Sequence, residues 1–455
     1  MDNFRPIQGM FLTERVDNYG MGEEGVVKKD GFVIFVPYAL KGELVKFRID
    51  HVKKNYAYAS LLEVIEPSPH RRKPVCTRFP RCGGCQLLHL EYLEQLELKH
   101  ANVTKLLEKS LPSGVEVEEV VPSDEYGYRN KLSLPFGMTS GRVSLGFYRE
   151  GTHKVVSTRK CFLNGDWAEK LISVMLDWAE KFDLTAYTDD NKRGLLRHLV
   201  ARQLECGLSV TVVINGDTLP HSEYLIDSLK EVFDDFTLYV SVNRSDTNVI
   251  FGDRLVKLYG DDRAGRLLGV EFPISPYSFM QVNIPIAERI LSDVVSYLSS
   301  YPDATVIDAY AGIGVLGTII ARNGNPIVNI EIVPSAVKDG KKLYERLGID
   351  GKFFLGDAAK ILPDVLNSVG DGRRVFLLLD PPRKGLSSDV VVTINAHSDM
   401  IDGIVYISCN PATLARDIAA LDFTPTKVRP YDMFPNTRHV ETVVCLTRHN
   451  ELPLA

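Results

Sequence analysis

Six apolar runs in the C-terminal third of the chain, ATVIDAY, PIVNIEIV, KFFLGD, RVFLLLD, GIVYISC and HVETVVCLT, are mostly separated by segments long enough for a helix. Strands alternating with helices imply a parallel, doubly wound α/β sheet. Such a sheet binds its ligands beyond the carboxyl ends of its strands. Asp308, Glu331, Asp357, Asp380 and Cys409 each fall at the end of one of these runs. The pattern therefore predicts a row of polar and reactive side chains along one sheet edge.

The 455 residues allow about three domains. Residues 1–66 read as short strands with an Asp30-Gly31 hairpin turn, the pattern of a small OB-like barrel. Pro67, Pro69 and Pro74 mark a linker into residues 67–268. This middle region starts with helical spacing from Glu91 to about Lys109 and continues as mixed α+β structure. Residues 269–455 form the Rossmann-like domain. Apolar residues at 45% and charged residues at 25% exclude disorder, collagen and disulfide miniproteins. No apolar run is long enough for a membrane span, and the N-terminus carries acids where a signal peptide would be apolar. A cytoplasmic protein without a membrane partner is expected.

The net charge of −6 does not advertise a nucleic-acid binder, but its distribution does. Pro67–Gly83 holds five Lys or Arg and no acid, and Tyr126–Lys160 holds seven against one. Two basic stretches, the second interleaved with aromatic and glycine residues, point to a phosphate-lined channel. The seven cysteines, an odd number without an export signal, argue against a disulfide framework. Cys76, Cys82 and Cys85 lie within ten residues, and the intervening Gly83-Gly84 allows a tight fold. Thiolates so spaced suit zinc or an iron–sulfur cluster, with Cys161 as the best fourth ligand. Cys206 and Cys445 are expected in the core.

The sheet-edge residues carry the chemistry. Asp308 to Gly314 is a glycine-rich turn, and Glu331 follows Gly312 by 19 residues, where an acid binds ribose hydroxyls. A missing third glycine disfavours a dinucleotide and favours an adenosyl ligand such as S-adenosylmethionine, with Asp357 reaching the adenine. Asp380 is stiffened by Pro381 and Pro382 and suits holding a base edge. Cys409 precedes Pro411 at a helix start, where amide donors should lower the thiol pKa and make a nucleophile. Glu441 enters an apolar run and is the candidate base. His439 reads as structural.

Together with Ser278-Phe-Met-Gln281, DPPRKG, SCNPATLARD and DMFPNTRHVE, these motifs resemble the RNA uracil-5-methyltransferases that carry a TRAM domain and an iron–sulfur cluster. The likeness covers essentially the whole chain. It implies a class I S-adenosylmethionine-dependent domain, a TRAM barrel, and a structural 4Fe-4S cluster on Cys76, Cys82, Cys85 and Cys161. It implies cofactor contacts at Gln281, Tyr310, Glu331 and Asp380, together with Asp357. Cys409 would be the nucleophile and Glu441 the base, acting on a flipped uridine. Ala311 and Met280 depart from residues common in the family. The architecture is more similar to the enzymes of 23S ribosomal RNA than to those of the transfer-RNA T-loop, and a monomer is expected. A radical enzyme is disfavoured by the C-x5-C-x2-C spacing. A non-catalytic assembly factor is disfavoured by intact Cys409, Glu441 and Asp380.

Overall fold

The computed structural model describes residues 4–369 and 372–448. The N-terminal strands are β1 (Phe11–Arg15), β2 (Asn18–Tyr19), β3 (Gly25–Lys29), β4 (Phe32–Val36), β5 (Leu44–Val52) and β6 (Tyr56–Glu66). They form one sheet ordered β1-β5-β6-β4-β3-β2 around Val27, Ile34, Val45, Phe47 and Ile49. Asp30 (φ 48°) and Gly31 (φ 82°) turn β3 into β4, the paired left-handed geometry that Asp-Gly favours in a two-residue hairpin.

After the proline-rich segment comes helix α1 (Tyr92–Leu107). A central sheet follows, built from β7 (Lys131–Thr139), β8 (Arg142–Tyr148), β9 (Val155–Ser157), β10 (Leu196–Leu204), β11 (Gly207–Ile214), β12 (Phe236–Val242) and β13 (Arg254–Tyr259). Helices α2 (Asp166–Lys181) and α3 (Ser222–Lys230) supply its core with Leu171, Met175, Trp178, Leu225 and Leu229. Cys206 is a correction to the sequence reading: it sits exposed in the β10–β11 turn, whereas Cys445 is buried as expected.

A hairpin of β14 (Arg263–Leu267) and β15 (Val270–Ile274) leads to α4 (Ile284–Leu298). The last sheet contains β16 (Thr305–Asp308), β17 (Ile327–Glu331), β18 (Gly351–Leu355), β19 (Val375–Leu379), β20 (Gly403–Ser408), β21 (Phe423–Tyr431) and β22 (Glu441–Arg448). Its order is β18-β17-β16-β19-β20-β22-β21. The crossovers are α5 (Val315–Arg322), α6 (Pro334–Leu347), α7 (Ala358–Val369), α8 (Ser388–Ala396) and α9 (Pro411–Ala420). Residues of α4, α5 and α6 pack one face and those of α7, α8, α9 and α1 the other.

The all-parallel expectation holds for β16 to β20 and fails at β22, which is antiparallel to both neighbours. The Asp432–Val440 connection from β21 is too short for a parallel crossover. Strand β21 was not foreseen, because Pro425 and Pro430 interrupt its pattern. Beyond it the sheet continues only through isolated bridges to Val117 and Val121, and proline is tolerated near such an edge. Among the described residues no helix is long and apolar enough to cross a membrane.

The β21–β22 loop is fastened to α1. Lys99 and Asp432 are both fully buried, with Nζ and Oδ1 2.6 Å apart. Asn436 takes a left-handed backbone (φ 64°), and its side chain and main chain bond Gln95, Arg72, Glu125, Gln86 and Leu87. Breaking one half of a buried ion pair strands the other charge. Lys99→Met is therefore expected to lower unfolding stability by about 3–5 kcal/mol in urea titrations. Adding Asp432→Asn should restore part of that loss.

Candidate active site

Asp308 and Glu331 end β16 and β17, and Asp380 and Cys409 follow β19 and β20 directly. Because β22 runs the other way, its first residue, Glu441, arrives at the same edge. One cavity of about 640 Å³ along that edge is lined by Gln281, Tyr310, Gly312, Glu331, Asp380 and Glu441, among others. The glycine-rich turn shapes it: a Cβ on Gly314 (φ 75°) would stand 2.6 Å from Phe353. The Gly312 amide donates to Glu331 Oε2 (2.8 Å) and the Val333 amide to Oε1 (2.7 Å), which fixes the carboxylate at the rim. Met280 and Ala311 are both buried in this wall.

Asp357 differs from expectation. It is exposed, caps α7 through the Ala359 amide (2.9 Å), and does not line the cavity. The helix start after β18 takes up its Oδ1.

Burial dominates the electrostatics. It pushes Asp308 up to about 7, helped by the charges of Asp380 and Glu331 and opposed by the Tyr310 amide. It pushes Asp380 up to about 6 and Glu441 up to about 8. The charge of Asp380 adds to the rise of Glu441, while Arg383 opposes it. Cys409 is raised too, first by burial and then by Glu441, against the expectation that its helix start would lower it. Pro411 lies at the helix start as foreseen, but the Asn410 side chain caps the Ala412 amide (3.1 Å), and the opposing lowering charge is Arg383.

Cys409 lines a second cavity of about 280 Å³ on the other side, together with Arg383 and His439. His439 is held below its usual range, at about 4, by burial and by neighbouring cations. Arg383, quoted in DPPRKG without a role, also lines a third cavity of about 280 Å³ that contains Cys76, Cys82, Cys85 and Cys161. The Gly84 amide donates to Cys82 Sγ (3.4 Å), so the predicted tight turn is present. Burial pushes Cys82 up to about 11 and also raises Cys85 and Cys161. Among the described residues no three His, Cys, Asp or Glu form a group that could hold a metal ion. The four cysteines line one shared cavity.

Glu441 gives a pH signature. A carboxyl raised in the folded state favours folding when protonated, so this contribution is full below about 4.5 and lost as pH climbs through about 8. Glu441→Gln lacks that dependence. Relative to wild type it should gain about 1 kcal/mol or more between pH 5 and pH 8.5, read from unfolding titrations at both values.

The sequence profile described as tRNA (Uracil-5-)-methyltransferase matches residues 269–449, and that of the TRAM domain matches residues 15–62. The chain is similar to an uncharacterized RNA methyltransferase of Clostridium acetobutylicum, 36% identical over 95% of this chain and 96% of that protein. A second, from Halalkalibacterium halodurans, is 35% identical over 94% of both. Among solved structures, the Pyrococcus abyssi tRNA (uracil-54, C5)-methyltransferase in complex with S-adenosyl-L-homocysteine matches with TM-score 0.75 and 28% identity. That match covers 96% of this chain and 100% of that one.

Proposed function

Because the chain belongs to the S-adenosylmethionine-dependent RNA uracil-5-methyltransferase family and carries a TRAM domain, we propose that it methylates C5 of one uridine class in 23S ribosomal RNA. The observation that carries the reading is that Cys409 and Glu441 flank the paired residues Ser408 and Thr442, which brings two strand ends together at one edge. Gln281, Tyr310, Glu331 and Asp380 hold S-adenosylmethionine in the larger cavity, which Glu441 shares.

Uracil C5 is too weak a nucleophile to take a methyl group unaided. Cys409 gives its thiol proton to solvent, its Sγ adds to C6, and the electron pair displaced into the ring makes C5 nucleophilic. The bound cofactor would supply an electrophilic methyl carbon, its S–CH3 bond breaking as the C5–CH3 bond forms and leaving a neutral thioether, S-adenosylhomocysteine. Glu441 then takes the C5 proton, and the returning electron pair expels Cys409. Glu441 must be ionised for this step, and the charge of Arg383 favours that state. Asp380, in the same cavity, suits holding the uracil edge. All these residues come from one chain, so a monomer suffices, and it acts in the cytoplasm.

The four thiols fit a 4Fe-4S cluster better than zinc. Tetrahedral Zn–S bonds of about 2.3 Å draw sulfurs to one point, whereas a cube holds its thiolates apart around a shared space. Arg129, Lys160 and Arg383 line the same cavity and offset the thiolate charge. A cluster would tie the Cys76–Cys85 segment to Cys161. Anaerobically purified protein is expected to contain iron and acid-labile sulfide in equal amounts. Stoichiometric zinc, or folded protein with neither, would contradict the cluster.

The second reading, a transfer-RNA T-loop uridine, is favoured by the whole-chain likeness to the archaeal tRNA enzyme. The assembly-factor reading has no such observation. Labelled S-adenosylmethionine offered to unmodified ribosomal and transfer RNA, with the product mapped, separates the substrates. Cys409→Ala should reduce transfer roughly 10³-fold or more while the cofactor still binds. Glu441→Gln should transfer the methyl group but remain covalently attached to the RNA, visible as a denaturation-resistant band.

A further inference from the structure

The proposed mechanism leaves the cavity behind Cys409 unused, since Asp380 and Glu441 line the cofactor cavity and not this one. Three parts of the fold build it: Met21 and Glu23 from the N-terminal barrel, Lys99 and Asn102 from α1, and the chain around Cys409 and His439. Glu23 is only 7% exposed, and its buried Oε2 has no hydrogen-bond partner. Its backbone is left-handed (φ 68°) in a turn closed by bonds from the Glu23 amide to Gly20 O and from the Gly20 amide to Glu24 O. Glycine fits such a backbone without strain, and a buried carboxyl without donors is costly. The charges of Lys99 and Arg438 favour the carboxylate, but among the described residues no donor bonds its Oε2, which leaves an acceptor for a ligand to satisfy.

We propose that this cavity receives a second nucleotide of the RNA, next to the methylated uridine, and that Glu23 reads its base as guanine. The inference rests on the proposed function only in taking RNA as the partner. Guanine presents N1–H and N2–H side by side, and a carboxylate accepts both, one on each oxygen; uracil and adenine offer no such pair. Arg383 and Arg438 in the lining suit the flanking phosphates, and Met21, Leu106 and Val440 give the base apolar faces. The methylated uridine must touch Cys409 and Glu441 together, so it stays between the two cavities and leaves this one to its neighbour. Burial pushes Glu23 up to about 7, opposed by the charges of Lys99 and Arg438, and donors from a bound base would favour its ionised form.

The test uses full-length protein with S-adenosylhomocysteine and fluorescent hairpin RNAs whose loop holds one uridine. The base on each side of that uridine is varied through all four. Wild type should bind the hairpin with guanine on one side about tenfold more tightly than the others. Glu23→Gln, of equal volume, should lose that preference and bind the other hairpins within about twofold of wild type. A guanine preference retained by Glu23→Gln overturns the proposal, and so does a wild-type protein that binds all neighbours alike, which needs no variant to fold. Methyl transfer on the same hairpins is read separately. Guanine preference without transfer defeats the methylation mechanism and leaves the pocket standing; transfer without preference does the reverse.

Discussion

The buried bond between Lys99 and Asp432 sets where the catalytic edge can be completed. Four of the sheet-edge side chains, Asp308, Glu331, Asp380 and Cys409, are placed by parallel strands whose register the core enforces. Glu441 is different, since it starts an antiparallel strand and depends on the loop that precedes it. That loop is short, polar and buried, so its main-chain groups need partners. Lys99 Nζ reaches both Asp432 Oδ1 and Phe434 O (3.2 Å), and Asn436 bonds the proline-rich segment, α1 and the chain near Glu125. The amides of Gln86 and Leu87, adjoining Cys85, donate to Asn436 O (3.0 Å each). One loop thereby couples the cysteine cavity to the base.

The edge concentrates acids where solvent is sparse. Each carboxyl that ionises makes its neighbours harder to ionise, and Asp380 acts in this way on both Glu441 and Cys409. Arg383 is the counterweight, because it opposes the rise of both reactive groups, and it adds to the burial that lowers His439. Arg383 lines both the cavity of Cys409 and that of the four thiols, so one residue links the two. The helix start at Pro411 alone does not produce a low thiol pKa here.

Periodicity made the sheet legible, since runs such as RVFLLLD have no competing reading, and the strand-end position of Asp380 or Cys409 followed from it. The hairpin at Asp30-Gly31 and helix α1 were equally plain. What escaped was set by distant contacts. Strand β21 hides behind Pro425 and Pro430, because proline at a near-edge position reads as a loop. That Asp357 caps α7 through Oδ1 was set by the helix that follows it and had no signal in the motif. Cys206 lies exposed in a tight turn, whereas the absence of a motif around it read as core. Glu23 has no local signal, since its turn meets Cys409 only after two domains' worth of intervening chain has folded.

The central claim is that Cys409 bonds covalently to uracil C6 while Glu441 waits at C5. Replacing the C5 hydrogen of the target uridine with fluorine leaves Glu441 no proton to take. Protein incubated with S-adenosylmethionine and 5-fluorouridine RNA is expected to yield a stable adduct, with peptide mass mapping placing a methylated fluorouridine on Cys409. No adduct from RNA that is otherwise methylated, or an adduct on any other residue, would contradict the account.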